Sequence, residues 1–138
     1  MIAFPALETR VYYEDTDAGG IVYYANYLRF LERARTELLR ELGHSQQELL
    51  QQNIAFAVRS AHIEYLKPAK LDDLLTVETA IESVGHAQMM FTQCIRRNDE
   101  RLLDAKIRVA CIDPLAGKPI AMPRALRAQL SALISPIV

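Results

Sequence analysis

The 138-residue chain predicts an α+β fold in which one long helix is wrapped by a curled antiparallel sheet. Three observations predict it. Residues 26–42 carry apolar side chains at helical spacing. After Asn53 the chain changes to runs in which apolar and polar residues alternate, the mark of strands with one buried and one wet face. The breaks between those runs are short, as antiparallel neighbours allow and parallel strands do not. The length suits a single domain, 1–138, that needs no covalent staple.

In chain order, "ETRVYY" (8–13) reads as a short strand running into an acidic loop. Helix 26–42 follows, with Tyr27, Leu31, Ala34, Leu38 and Leu42 at steps of four and three. Leu28, Phe30 and Leu39 widen the stripe, while Arg29, Arg33, Thr36 and Arg40 line the other face. Gly43 is a natural stop. Ser45 and Glu48 fit a capping box, so a short second helix begins there. The strand-like runs are 54–66, 73–84, 86–97 and 101–113, broken by "KPAKLD", "VGH" and "NDE". "DPLAGKP" ends the sheet, and 122–135 is expected as a closing helix. The only helix long enough to cover the sheet is 26–42, and its wide apolar stripe calls for a sheet curled around it.

Composition narrows the function. The net charge is −1 with acids and bases interspersed, so no nucleic-acid groove or basic membrane face is expected. No apolar run reaches the roughly 18 residues of a transmembrane helix, and the N-terminus lacks a secretory pattern. Cys94 and Cys111 lie in apolar runs without metal-ligand spacing, which reads as buried thiols in a cytoplasmic protein.

The stretch "EDTDAGGIVYYANY" (14–27) concentrates the chemistry. Three carboxylates, Glu14, Asp15 and Asp17, precede a helix N-terminus, where unpaired N–H groups and the positive dipole end favour anions, including a developing oxyanion. Gly19 and Gly20 permit a tight turn and close approach of a ligand. A carboxylate beside donors aimed at a carbonyl oxygen can attack it or activate a water. Asp17 is the best placed of the three. Taken on spacing alone, an Asp before a helix reads first as a turn or cap. A Mg²⁺ or Ca²⁺ site fits poorly, because no further ligand set follows, and no metal or other cofactor is expected.

Residues 10–39, "RVYYEDTDAGGIVYYANYLRFLERARTELL", resemble the signature region of the 4-hydroxybenzoyl-CoA thioesterase family. Within it they are most similar to the Tol-Pal-associated acyl-CoA thioesterases, and the likeness extends to "IEYLKPAKLDD" and "CIDPLAGKP". The resemblance implies a hotdog fold, a homodimer or homotetramer with sites at subunit interfaces, and hydrolysis of an acyl-CoA, with acyl carrier protein as a possible alternative carrier. It implies Asp17 as the catalytic acid, the main-chain N–H of Tyr24 as oxyanion donor, and Tyr13 beside the site. Many Tol-Pal-associated relatives carry His where this chain has Tyr24, so a His-assisted mechanism is not expected here.

Other polar residues have plainer roles beside their functional ones. Asn26 reads as a helix cap, with carbonyl or water positioning as the minor alternative. Arg59, Lys67, Lys70, Arg96 and Arg97 are candidates for gripping coenzyme A phosphates, though each alone reads more simply as a surface charge. Glu32 and Glu37 are expected to face solvent or pair locally, Glu37 with Arg33 or Arg40. Met89, Met90 and Phe91 are expected in the core. The functions in play are an acyl-CoA thioesterase of short-chain or aromatic acyl groups, a dehydratase of the same fold, and a non-catalytic or carrier-protein-directed module. The dehydratase is disfavoured because no His precedes residue 44.

Overall fold

The computed structural model describes residues 6–134. Six strands form one antiparallel sheet: β1 (Leu7–Arg10), β2 (Ala55–Tyr65), β3 (Leu74–Val84), β4 (Gln88–Arg97), β5 (Glu100–Asp113) and β6 (Lys118–Pro119). Among the described residues three helices complete it: α1 (Tyr27–Glu41), α2 (Gln46–Gln51) and α3 (Arg124–Ala132). The last residue of the expected closing helix, 135, lies outside the described residues.

Helix α1 buries Tyr27, Phe30, Leu31, Ala34, Leu38 and Leu39 against the sheet, much as its spacing predicts. Leu28 is the exception: it is exposed rather than part of the stripe. At the far end Gly43 takes φ +91°. The Gly43 N–H donates to the Arg40 carbonyl and the His44 N–H to that of Leu39, a Schellman stop. The Ser45 hydroxyl then accepts the Glu48 N–H and starts α2.

The sheet order is β1-β3-β4-β5-β2, with β6 on β5. This corrects one expectation. The break "KPAKLD" does not join neighbours: β2 pairs with β5 at the far edge, and β3 pairs with β1. The connection is a crossing, and about eight extended residues can span the roughly 14 Å of three strand spacings. Its middle, Ala69, is fully buried. Ala69 donates its N–H to the Tyr27 hydroxyl and accepts the Val22 N–H on its carbonyl, so the crossing is anchored under the start of α1.

Inward-facing Leu75, Val77, Phe91, Ile95, Leu103, Ile107 and Cys111 form the core with α1. Register shifts near Glu82, Leu102 and Arg59 bend the strands, as bulges do, and help the sheet curl round the helix. Helix α3 adds Leu126 and Leu130 to the core beside β3.

Candidate active site

The acidic loop is folded differently from a strand leading into a turn. β1 ends at Arg10, and Tyr13–Asp15 form a single 3₁₀ turn. A second 3₁₀ turn, Tyr24–Asn26, precedes α1. Between them the chain doubles back. The Asp17 N–H donates to the Ile21 carbonyl (2.9 Å) and the Tyr23 N–H to the Asp15 carbonyl (2.9 Å). The loop thus holds Asp17 and the Tyr23–Tyr24 peptide on one small ladder at the entrance to α1.

The three carboxylates have separate fates. Glu14 is exposed. Asp15 is only 6% exposed, and its two oxygens accept the Tyr12 N–H and the Asn26 side-chain amide, each at 2.9 Å. Asp17 is exposed, and its Oδ1 accepts the Gly19 N–H at 2.8 Å. Among the described residues the other Asp17 oxygen has no protein donor. A Cβ on Gly19 would sit 3.2 Å from Asp17 Oδ1, and Gly20 adopts φ +79°. Gly20 therefore suits the left-handed turn that presents Asp17, and Gly19 leaves the carboxylate room that a Cβ would crowd.

Among the described residues no main-chain carbonyl accepts the Tyr24 N–H. The Tyr24 carbonyl accepts the Tyr65 hydroxyl at 3.2 Å. Tyr24 and Tyr27 both pack against Tyr65, with ring centroids 6.5 and 5.7 Å apart. Burial pushes the Tyr27 hydroxyl above its ordinary pKa. Beside these rings lies a mostly apolar cavity of about 230 Å³, lined by Ile21, Val22, Tyr24, Tyr27, Tyr65 and Leu66 among others. Tyr13, at the outer side of the loop, is 83% exposed.

Asn26 departs from its expected role. It stands at the cap position of α1 but in helical conformation, and its side chain makes no cap hydrogen bond. The Asn26 amide is turned inward to Asp15, because the preceding 3₁₀ turn already organises the chain. Lys67 is not a free cation: it pairs with Glu100 at 2.7 Å. Arg97 pairs with Asp73 and Glu100, and these contacts tie the 67–73 crossing to the sheet. Lys67 and then Arg97 hold the Glu100 carboxyl down at about 2. Arg59 is exposed at the bulge of β2, and Arg96 pairs with Glu78 on the outer face. Glu37 pairs with Arg40 as expected. Met89 and Phe91 lie in the core, while Met90 is half-buried.

Sequence reasoning passed over Arg35 and Gln93. Gln93 is buried, accepts Arg35 Nη1 at 3.0 Å, and donates to the Leu31 carbonyl and the Thr79 hydroxyl. Burial lowers the Arg35 pKa to about 10. Arg35 lines a second cavity of about 260 Å³ between α1 and the sheet, with Glu32, Phe56 and Val58, and reaches Gln93 behind it. The signal available was a polar residue at an inward position of an otherwise apolar strand. Cys94 and Cys111 are unpaired and buried, which raises both thiol pKa values. Among the described residues no three His, Cys, Asp or Glu side chains converge as a metal centre. Nor is any described helix long and apolar enough to cross a membrane.

A curled antiparallel sheet around one central helix is the hotdog fold of thioesterases. The sequence pattern of the thioesterase superfamily matches residues 19–103, and the chain belongs to that superfamily of thioester hydrolases. An acyl-CoA thioesterase YbgC of Haemophilus influenzae is 52% identical over 120 residues, 86% of this chain and 88% of its own length. An acyl-CoA thioester hydrolase YbgC of Escherichia coli O157:H7 is 50% identical over 121 residues, 87% of this chain and 90% of its own. Among solved structures, a probable thioesterase from Bartonella henselae superposes with a TM-score of 0.82 at 38% identity, covering 88% of this chain and 100% of that one.

Proposed function

We propose that this protein is a cytoplasmic acyl-CoA thioesterase in which Asp17 is the catalytic carboxylate and the Tyr24 main-chain N–H is the oxyanion donor. One observation carries this: an exposed carboxylate with an unengaged oxygen stands on the same ladder as a peptide N–H with no main-chain acceptor. In the proposed reaction the thioester carbonyl accepts the Tyr24 N–H, which stabilises the developing oxyanion. Asp17 attacks the carbonyl carbon, forming an anhydride that water then opens, or it takes a proton from an attacking water. Either way the C–S bond breaks and the coenzyme A thiolate leaves. The acyl group occupies the cavity lined by Tyr24, Tyr27 and Tyr65. At about 230 Å³ that cavity suits a short or aromatic acyl group. Gly19 and Gly20 form the substrate-facing turn, and Tyr13 flanks it. Arg59 and Lys70 are the substrate-phosphate candidates that stay exposed without an ion-pair partner among the described residues, while Lys67 contributes through the 67–73 crossing that it ties down.

The proposal includes a homodimer formed through β2. That strand is eleven residues long and borders the sheet, with no neighbour on its far side among the described residues. Its inward residues Val58, Ala61 and Tyr65 are exposed although they face the helix side. A long unprotected edge with uncovered apolar residues is the surface a second copy would pair with.

Thiol release from a panel of acyl-CoAs, acetyl to long-chain and benzoyl, tests the function. Asp17→Asn is expected to lower kcat by about 10³-fold, while Tyr24→Phe, which keeps the main-chain donor, retains turnover. Solvent-oxygen labelling in a single turnover separates the two roles of Asp17, because only the nucleophilic route labels its carboxylate. Unchanged turnover in Asp17→Asn would overturn the assignment. Turnover only with acyl carrier protein thioesters would replace coenzyme A as the carrier.

A further inference from the structure

We infer that Asp15 and Asn26 form a buried positioning pair that sets the distance between the Asp17 carboxylate and the Tyr24 N–H. The inference rests on the catalytic assignment above and adds to it two residues that touch no substrate. Asp15 ties together three separate pieces of chain. Its Oδ2 accepts the Tyr12 N–H just beyond β1, its Oδ1 accepts Asn26 Nδ2, and its main-chain carbonyl accepts the Tyr23 N–H on the returning arm of the loop. Asn26 ends the turn that leads into α1 and is 7% exposed.

The pair brackets the reacting groups in the chain. Asp17 lies two residues beyond Asp15, and Tyr24 two residues before Asn26. The Asp15–Asn26 hydrogen bond therefore closes a ring containing both. A displacement of either end moves the carboxylate relative to the donor. Burying a carboxylate is costly unless it is hydrogen-bonded, and here both oxygens are directed at fixed partners. An Asn side chain at this point would ordinarily cap the helix, yet Asn26 makes no cap bond and gives its amide to Asp15 instead.

The experiment is a reciprocal swap. Asn26→Asp sets two carboxylates against each other where the amide now bonds, and the gap between Asp17 and Tyr24 must widen. It is expected to lower kcat at least about 100-fold with KM nearly unchanged, the scale of a 1 Å misplacement. In Asp15→Asn the amide carbonyl accepts the Tyr12 N–H and its NH₂ meets a flipped Asn26. That variant is expected to stay within about 5-fold of wild type. The double variant Asp15→Asn/Asn26→Asp restores an amide–carboxylate pair and is expected to recover at least about 10-fold over Asn26→Asp. Sedimentation and near-ultraviolet dichroism establish that each variant is folded. Should Asn26→Asp fail to fold, Asn26→Ala provides the comparison, with kcat per folded site expected to fall about 10-fold. Recovery in the double variant supports the pair. Full activity of Asn26→Asp, or a loss that Asp15→Asn does not relieve, overturns it. If Asp17→Asn leaves turnover intact, it is the catalytic assignment that fails instead.

Discussion

Gln93 offers a sharp stability test, because it is a polar side chain in the middle of the apolar layer between α1 and the sheet. Replacing it with Leu removes three hydrogen bonds, but their costs differ. The Leu31 carbonyl lies within α1 and keeps its place in the helical ladder. Arg35 lines a cavity of about 260 Å³, so water can replace the lost acceptor. Thr79 is fully buried, and its hydroxyl loses the donor it accepts from. An orphaned buried hydroxyl costs about 1–3 kcal/mol, and the bond to the charged Arg35 is worth about 1.5 kcal/mol before hydration offsets part of it. The added apolar burial returns about 1 kcal/mol. The net expectation for Gln93→Leu is a loss of about 2 kcal/mol. In urea this shifts the midpoint by about 1 M without changing the slope, at a fixed protein concentration. Thr79→Val removes the orphan, so the double variant should cost about 1 kcal/mol less than the sum of the singles. A neutral Gln93→Leu, or strict additivity, would refute this account of the network.

Other outcomes follow from the same coordinates. Gly20→Ala meets no neighbour but must hold φ +79°, so it should lose about 1 kcal/mol of stability. Gly19→Ala should instead leave stability nearly intact and lower kcat, since its Cβ pushes on Asp17 Oδ1; thermal melts beside thiol-release kinetics separate the two. The Glu100 carboxyl titrates near 2, below its ordinary 4.5, so its contribution is full above about pH 4.5 and is lost as the pH falls towards 2. Glu100→Gln should therefore flatten the stability-versus-pH curve across that window, read by urea midpoints at several pH values. Val58→Lys on the free edge should shift sedimentation from dimer to monomer, and a monomeric wild type would remove the proposed interface.

The legibility of the sequence followed the physics of each signal. Helical period marked α1 because most of its stripe is buried along its length, and it misled only at Leu28, which lies at the uncovered side of the first turn. Alternation located the four long strands to within about two residues, the usual uncertainty at element ends. Pairing was harder. A short break suggests a hairpin, but the 67–73 crossing is short because it runs beneath the start of α1, and that follows from Tyr27 and Val22, distant in sequence. The acidic loop stood out by composition, whereas the division of labour within it did not. Asp15 and Asp17 are the same residue type two positions apart, and only the 3₁₀ turns decide that one faces inward and the other outward. Those turns are too short to leave a periodic pattern.

The bulge at Arg59 makes β2 a strand with two phases. Before it, Phe56 and Val58 face the helix; after it, Ala61, Ile63 and Tyr65 do. The parity of inward positions changes across one unpaired residue. The unpaired Arg59 absorbs that change, so deleting it would leave Val58 and Ser60 as consecutive pairs, with the alternation unbroken and the local bend removed. Phe56 would stay in the core and Tyr65 would stay beside Tyr24. Removing a paired residue from a strand would instead put the side chains beyond it on the wrong face, as a frameshift does in a gene, so tolerance to single-residue loss in this fold depends on phase more than on burial.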